Sequence, residues 1–238
     1  MVYQERFYRY YSRPKCSLEI SYRESDLYII SDKPLAKEKT KEILIKYYCQ
    51  IEEYIKKNPS FFTSLSPLAL DENAPLIVQD MVKASCLAAI GPFSAVAGAV
   101  AFYLGKELLN YCRELIIENG GDIFMKINGT KRIGLYLGEN FTPKALTIKV
   151  KKEKLPFGIC SSSAKIGPSL NFGKADLLTV KAKDSIVADS FATAYANRIK
   201  KVKDIAGIFK QAQTNFLIDA IVIVFEGKLY FWGDIELE

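Results

Sequence analysis

The sequence predicts a single α+β domain, residues 1–238, with a mixed or antiparallel sheet packed on a buried helix of small residues. Three observations lead there. Strand-like and helix-like segments are interleaved with hairpin signals, and no linker tract divides them. Residues 84–105 carry no charge and are rich in Ala and Gly. The chain has 238 residues, 49% of them hydrophobic, which is ample for a buried core.

Residues 3–12 are aromatic and basic and read as an edge strand or an arm. Ser17–Tyr22 and residues 27–31 alternate with strand period, and Arg23, Glu24, Ser25 and Asp26 form a hairpin turn between them. Residues 35–57 are helical, with Ile43, Tyr47, Ile51, Tyr54 and Ile55 on one side, and Asn58-Pro59 ends the run. PSFFTSLSPLALDENAPL follows as a loop of about twenty residues, long enough to be functional or mobile. Pro75 restarts a helix that runs to Gly91-Pro92.

The organising stretch is GPFSAVAGAVAFYLGKELLNYCRELIIENGGDIFMK. Residues 91–113 are expected to form the buried helix. Gly91, Gly98 and Gly105 recur every seven residues on one face. Glycine inside a helix costs about 1 kcal/mol relative to alanine, so the repeat implies a close approach there. The uncharged run is long enough to cross a bilayer. It is not read as a span, because Gly91-Pro92 breaks it early and Lys106, Glu107, Arg113 and Glu114 follow.

Leu115-Ile116-Ile117 is a buried-strand signal, interrupted by Asn119, Gly120, Gly121 and Asp122. Two glycines within a strand pattern suggest a bulge or a close backbone approach. Asn128-Gly129 reads as a hairpin turn between FMKI and KRIGLYLG. Residues 145–152 and Leu177–Ala182 are strands, residues 184–203 a helix capped by Asp184 or Ser185, and residues 205–213 a shorter helix. Ile218–Phe225 and LYFWGDIEL form a final antiparallel pair.

Composition narrows the chemistry. There is no histidine, so a Ser-His-Asp or Cys-His machine cannot be built within this chain. The five cysteines contain no C-x-x-C pair, which argues against zinc and for reduced thiols in a cytoplasmic protein. The N-terminus shows no secretion-type apolar region. The net charge of +6 is spread along the chain without a basic stripe. This disfavours nucleic acid and a membrane and suits a small anionic ligand.

Three motifs carry candidate chemistry. Asn119 and Asp122 flank bare backbone at Gly120 and Gly121, as either a self-bonded turn or a ligand site. Residues 158–176 form a loop dense in Gly and Ser, including Gly158, Ser161, Ser162, Ser163, Lys165 and Gly167. Its N–H groups suit an anion, although the P-loop pattern is absent. Asp189 and Thr193 lie four apart on one helix face, which Asn197 continues. That pair suits either Mg2+ or a local hydrogen bond.

The segments AVAGAVA, ENGGDI, GICSSS, LNFGKAD and ADSFATAYANR, in that order, resemble an uncharacterised prokaryotic family of ApbE-like proteins. More distantly they resemble the ApbE flavin transferases, Mg2+-dependent enzymes that bind FAD and move its FMN part onto a threonine. The resemblance implies the ApbE-like fold. It also implies roles in nucleotide binding for Asn119, Gly120, Gly121, Asp122 and Gly98, and in holding Mg2+ for Asp189 and Thr193. Two departures stand out. Ala97 replaces the lysine beside the helix glycine, and residues 158–167 lack the histidine of the transferase loop.

The nearer family is also linked by pathway context to sulfide assimilation and homocysteine formation in anaerobes. On that basis Cys160, in the Gly/Ser loop, becomes a candidate sulfur carrier, given a cation such as Lys165 or Lys174 to favour its thiolate. Three functions stay open at this point. They are a binder of FAD-type nucleotide with Mg2+, with Asp122 and Cys160 as candidate catalytic groups; a sulfur-handling protein; and a relative that kept only the fold. An acceptor protein and an oligomer are open partners.

Overall fold

The computed structural model describes residues 9, 14–137, 141, 143–164 and 172–238. The expected N-terminal arm, apart from Arg9, and Lys165, Gly167 and Pro168 of the Gly/Ser segment lie outside the described residues.

Eleven strands and six helices occur among the described residues. They are β1 (Ser17–Tyr22), β2 (Ser25–Ser31), α1 (Lys37–Lys57), α2 (Ser60–Thr63) and α3 (Leu76–Ala88), then a 3-10 turn at Pro92–Ala95 and α4 (Val96–Leu108). Next come β3 (Leu115–Asn119), β4 (Asp122–Lys126), β5 (Lys131–Tyr136), β6 (Ala145–Val150), β7 (Phe157–Ser162) and β8 (Leu177–Ala182). The chain ends with α5 (Ser185–Arg198), α6 (Lys203–Gln213), β9 (Ile218–Phe225), β10 (Lys228–Gly233) and β11 (Glu236–Leu237).

The large sheet has eight strands in the order β1-β2-β3-β4-β7-β8-β9-β10, and a second sheet has the order β11-β6-β5. Every ladder among the described residues is antiparallel, so of the two alternatives the antiparallel sheet is the one seen. Helices cover one face of the large sheet and the small sheet covers the other. The side-chain period of two sends Ile117, Phe124 and Cys160 to the helix core, and Met125, Phe157 and Ile159 to the core between the sheets.

The small-residue helix is buried as expected, but it is shorter. Pro92 opens a 3-10 turn, α4 starts at Val96, and the helix ends at Leu108, not near residue 113. Gly91 therefore stands outside it, where an added Cβ would meet the Ser64 carbonyl oxygen at 1.8 Å. Gly98 and Gly105 are the close approaches. A Cβ on Gly98 would sit 2.1 Å from the Ser185 carbonyl oxygen, and one on Gly105 would sit 2.5 Å from the Phe124 ring. A second helix is buried more completely: every residue of α5 from 185 to 196 is inside, held between α3, α4 and the sheet.

Two turn expectations change. Gly120-Gly121 is not a bulge. Asn119 pairs with Asp122, and the glycines have φ of +70° and +103°, making a two-residue hairpin turn. Asn128-Gly129 does not close a hairpin, because β4 pairs with β3 and β7 while β5 pairs with β6. That turn carries the chain from the large sheet to the small one. The expected hairpin between β1 and β2 forms, but its turn is Arg23-Glu24 alone, and Ser25 and Asp26 already belong to β2. In the predicted long loop, α2 forms one helical turn before Pro75.

No single helix among the described residues is long and apolar enough to cross a membrane. The pair Leu76–Ala88 and Pro92–Leu108 has the composition but bends by 109°.

Candidate functional site

The site lies where the tip of the β3–β4 hairpin meets the start of α4 and the first turns of α5. α4 and α5 approach at Gly98 because it has no side chain. The Gly98 N–H donates to Asp189 Oδ2 at 2.9 Å, and the Ser185 hydroxyl donates to the Gly98 carbonyl oxygen at 2.8 Å. The Asp184 carboxylate caps α5, accepting from the Val187 N–H at 2.8 Å. Gly158 on β7 permits the same closeness on the sheet side, since its Cβ would lie 2.4 Å from Ser185 Cα.

Four expected residues gather here. Asn119 Nδ2 donates to the Ala97 carbonyl oxygen at 3.2 Å, tying the hairpin to α4. Asp122 closes the same hairpin and is 8% exposed; its Oδ1 is buried without a hydrogen-bond partner. Asp189 is 6% exposed, and Thr193 is buried one turn along α5.

The electrostatics follow from burial. Desolvation pushes the Asp122 carboxyl well above the usual carboxylate range, and the nearby Asp189 charge pushes it further. Desolvation raises Asp189 to about 7, against the Gly98 N–H, which favours its charged form. Two buried carboxyl groups thus repel one another away from water.

Cys160 is corrected. It lies in β7, not in a loop, and is fully buried. Its thiol donates to the Ser185 carbonyl oxygen at 3.4 Å. Burial pushes the thiol well above its ordinary value, and Asp122 and Asp189 add to this. No cation promotes a thiolate there among the groups that perturb it.

The Gly/Ser segment is corrected likewise, because Gly158 through Ser162 are strand. Alternation turns Ser162 to the helix side with Cys160, and Ser161 to the opposite face, where its hydroxyl meets that of Thr179 at 2.8 Å. Ser161 therefore points away from the site residues. Ser163 donates to the Asp176 carbonyl oxygen at 2.6 Å. Asn197 does not join Asp189 and Thr193; it accepts from the Phe172 N–H at 2.8 Å.

Two contributors escape a reading of the sequence. Ser185 carries three of the contacts described and announces itself only as a second cap candidate. Glu118 accepts from the Gly121 N–H at 2.9 Å with one carboxylate oxygen and from Arg9 Nε at 2.9 Å with the other. Arg9 also pairs with Asp26 at 3.1 Å, so a residue 109 positions away braces the glycine turn. Nothing local in the sequence marks that pairing.

Comparison with known proteins agrees with this architecture. Residues 9–219 match the family described as AbpE bacteria. The UPF0280 protein of Methanocaldococcus jannaschii is 39% identical over 202 residues, covering 83% of this chain and 82% of that one. The UPF0280 protein of Methanococcus maripaludis strain C5 is 37% identical over 210 residues, covering 86% and 85%. Among solved structures, the flavin transferase ApbE from Vibrio cholerae (H-to-G mutant) superposes with a TM-score of 0.61 at 10% identity, covering 91% of this chain and 96% of that one. The flavinyl transferase ApbE of Pseudomonas stutzeri, in its apo form, superposes with a TM-score of 0.60 at 12% identity, covering 91% and 93%. At such identity the likeness concerns the fold. The chain belongs to the AbpE bacteria family and has the fold of the ApbE flavin transferases.

Proposed function

We propose that this site binds a phosphate-bearing ligand of the flavin-nucleotide type together with Mg2+. The observation that carries this is Asp122 Oδ1, a buried carboxylate oxygen without a partner beside the second buried carboxyl of Asp189. Such an arrangement is unfavourable unless protons or a cation compensate it. The donors are all hard oxygens, and Mg2+ takes few ligands from a protein while sharing substrate phosphates. The residues therefore fit the ion. Asp189 and Thr193 would hold it, with Asp122 facing it, and bound there it would neutralise phosphate charge. Asn119 and Gly98 do the rest from this chain. They join hairpin, α4 and α5, which fixes the carboxylates before any ligand arrives.

The flavin part rests on the fold shared with proteins that transfer flavin. Transfer itself is not proposed, because residue 97 is alanine and the chain has no histidine. Cys160, buried and held as a thiol, lends no support to sulfur carriage. A reducing cytoplasm suits the five free cysteines.

Titrating the full-length protein with FAD, with and without Mg2+, and following flavin fluorescence tests the proposal. Saturable binding that needs Mg2+ and is lost in Asp189→Ala is expected. Binding indifferent to both, or none at all, overturns it.

A further inference from the structure

We propose that two copies of this chain associate through β10, antiparallel about a twofold axis at Tyr230, joining their large sheets edge to edge. β10 ends the sheet and pairs only with β9 among the described residues. The Glu226-Gly227 turn has φ of +50° and +71°, a two-residue hairpin in which Phe225 and Lys228 form the closing hydrogen-bonded pair. Alternation then aims the backbone groups of Lys228, Tyr230 and Trp232 at β9, and those of Leu229 and Phe231 outward.

Side chains follow the same alternation. Tyr230 and Trp232 pack against the helix-side core. Leu229 and Phe231 lie on the other face, beside Val224 and Val222, which are buried, yet they are 41% and 53% exposed. The row of apolar side chains that the small sheet covers on β9 is left open on β10. The opposite edge of the sheet is different: β1 exposes Ser17, Glu19 and Ser21, the polar dress that blunts an edge strand. β10 has no charge between Lys228 and Asp234.

The occupant is a second copy because this edge complements itself. Pairing Tyr230 with the partner's Tyr230 sets Leu229 opposite the partner's Phe231, twice by symmetry, and uses all four outward N–H and C=O groups of those residues. Lys228 then faces the partner's Trp232, with the partner's exposed Asp234 one diagonal away. A one-residue slip would turn the apolar row to the wrong face. A two-residue shift would set Leu229 against Gly233 in one direction, or Phe231 against Gly227 in the other, and so lose an apolar pair.

Sedimentation of the full chain tests the proposal, and a dimer is expected. Phe231→Lys sets like charge beside the axis twice and should raise the dissociation constant by roughly a hundredfold. Its circular dichroism should be unchanged, since residue 231 is half exposed, and its melting should match that of wild type diluted until it is monomeric. Tyr230→Cys should form a disulfide-linked dimer that wild type does not form, as the two Cα atoms would lie about 4.5 Å apart. A wild-type monomer at roughly 100 μM, a dimer indifferent to Phe231→Lys, or a Tyr230→Cys chain that does not cross-link each overturns the proposal. If Phe231→Lys fails to fold, the cross-link decides alone.

Discussion

The Gly98 N–H and the Asp189 carboxylate meet at 2.9 Å, so α4 and α5 are joined at a point where α4 has no side chain. Gly98→Ala places a methyl 2.1 Å from the Ser185 carbonyl oxygen, a backbone atom that cannot swing away. The expected loss is about 2 kcal/mol or more, and Gly98→Leu should lose more still. Urea unfolding measures both. Gly207 in α6 is the matched control, with nothing within 4 Å of its Cβ; Gly207→Ala should gain roughly 0.5–1 kcal/mol from helix propensity.

The buried carboxyl pair predicts a pH dependence. Asp189 titrates near 7 when folded and far lower when unfolded, so the folded state holds the extra proton between those values. In metal-free buffer its contribution to stability is therefore fully present below the unfolded value and is lost as pH rises towards 7. Asp189→Asn should flatten this part of the melting-temperature profile. An unchanged slope would mean that the carboxyl is not the group responsible.

Asp122→Asn separates stability from binding. It keeps the shape of the side chain and removes one of two mutually repelling buried acids, so the variant should be at least as stable as wild type at pH 8. Mg2+ should bind more weakly to it, as calorimetry would show. Loss of stability with unchanged Mg2+ binding would assign Asp122 to the scaffold alone.

Thiol reactivity checks the placement of the cysteines. Cys86 is exposed and should react with a disulfide reagent at once. Cys112 and Cys160 are buried with thiols pushed up, Cys112 to about 11, and should react only after unfolding. Rapid labelling of Cys160 in the native protein would revive the sulfur-carrying alternative.

Flavin transfer should be at background. An acceptor peptide bearing the threonine motif, incubated with the protein, FAD and Mg2+, should carry no covalent flavin by mass spectrometry. A flavinylated peptide would show that neither a histidine nor a lysine at residue 97 is needed.

Local pattern alone determined a good deal of this protein. Leu177–Ala182 and Ile218–Phe225 are strands within the predicted bounds, α1 begins within two residues of its expected start, and Asp184 caps α5. Each follows from side-chain period or capping chemistry within a few residues of the element itself. The glycine spacing correctly announced close approaches at Gly98 and Gly105, and the Asp189/Thr193 spacing a shared buried face.

Only the tertiary structure decided which strand pairs with which. Asn128-Gly129 has hairpin chemistry, yet β4 pairs with β7 and β5 with β6, which leaves Phe124 in one core and Met125 in the other. The same choice makes Gly158 through Ser162 an interior strand and buries Cys160, whose small polar neighbours suggested a loop. Strand pairing and burial depend on residues far apart in sequence. So do the meeting of Asp122 with Asp189 and the bracing of Glu118 by Arg9, which no local spacing encodes.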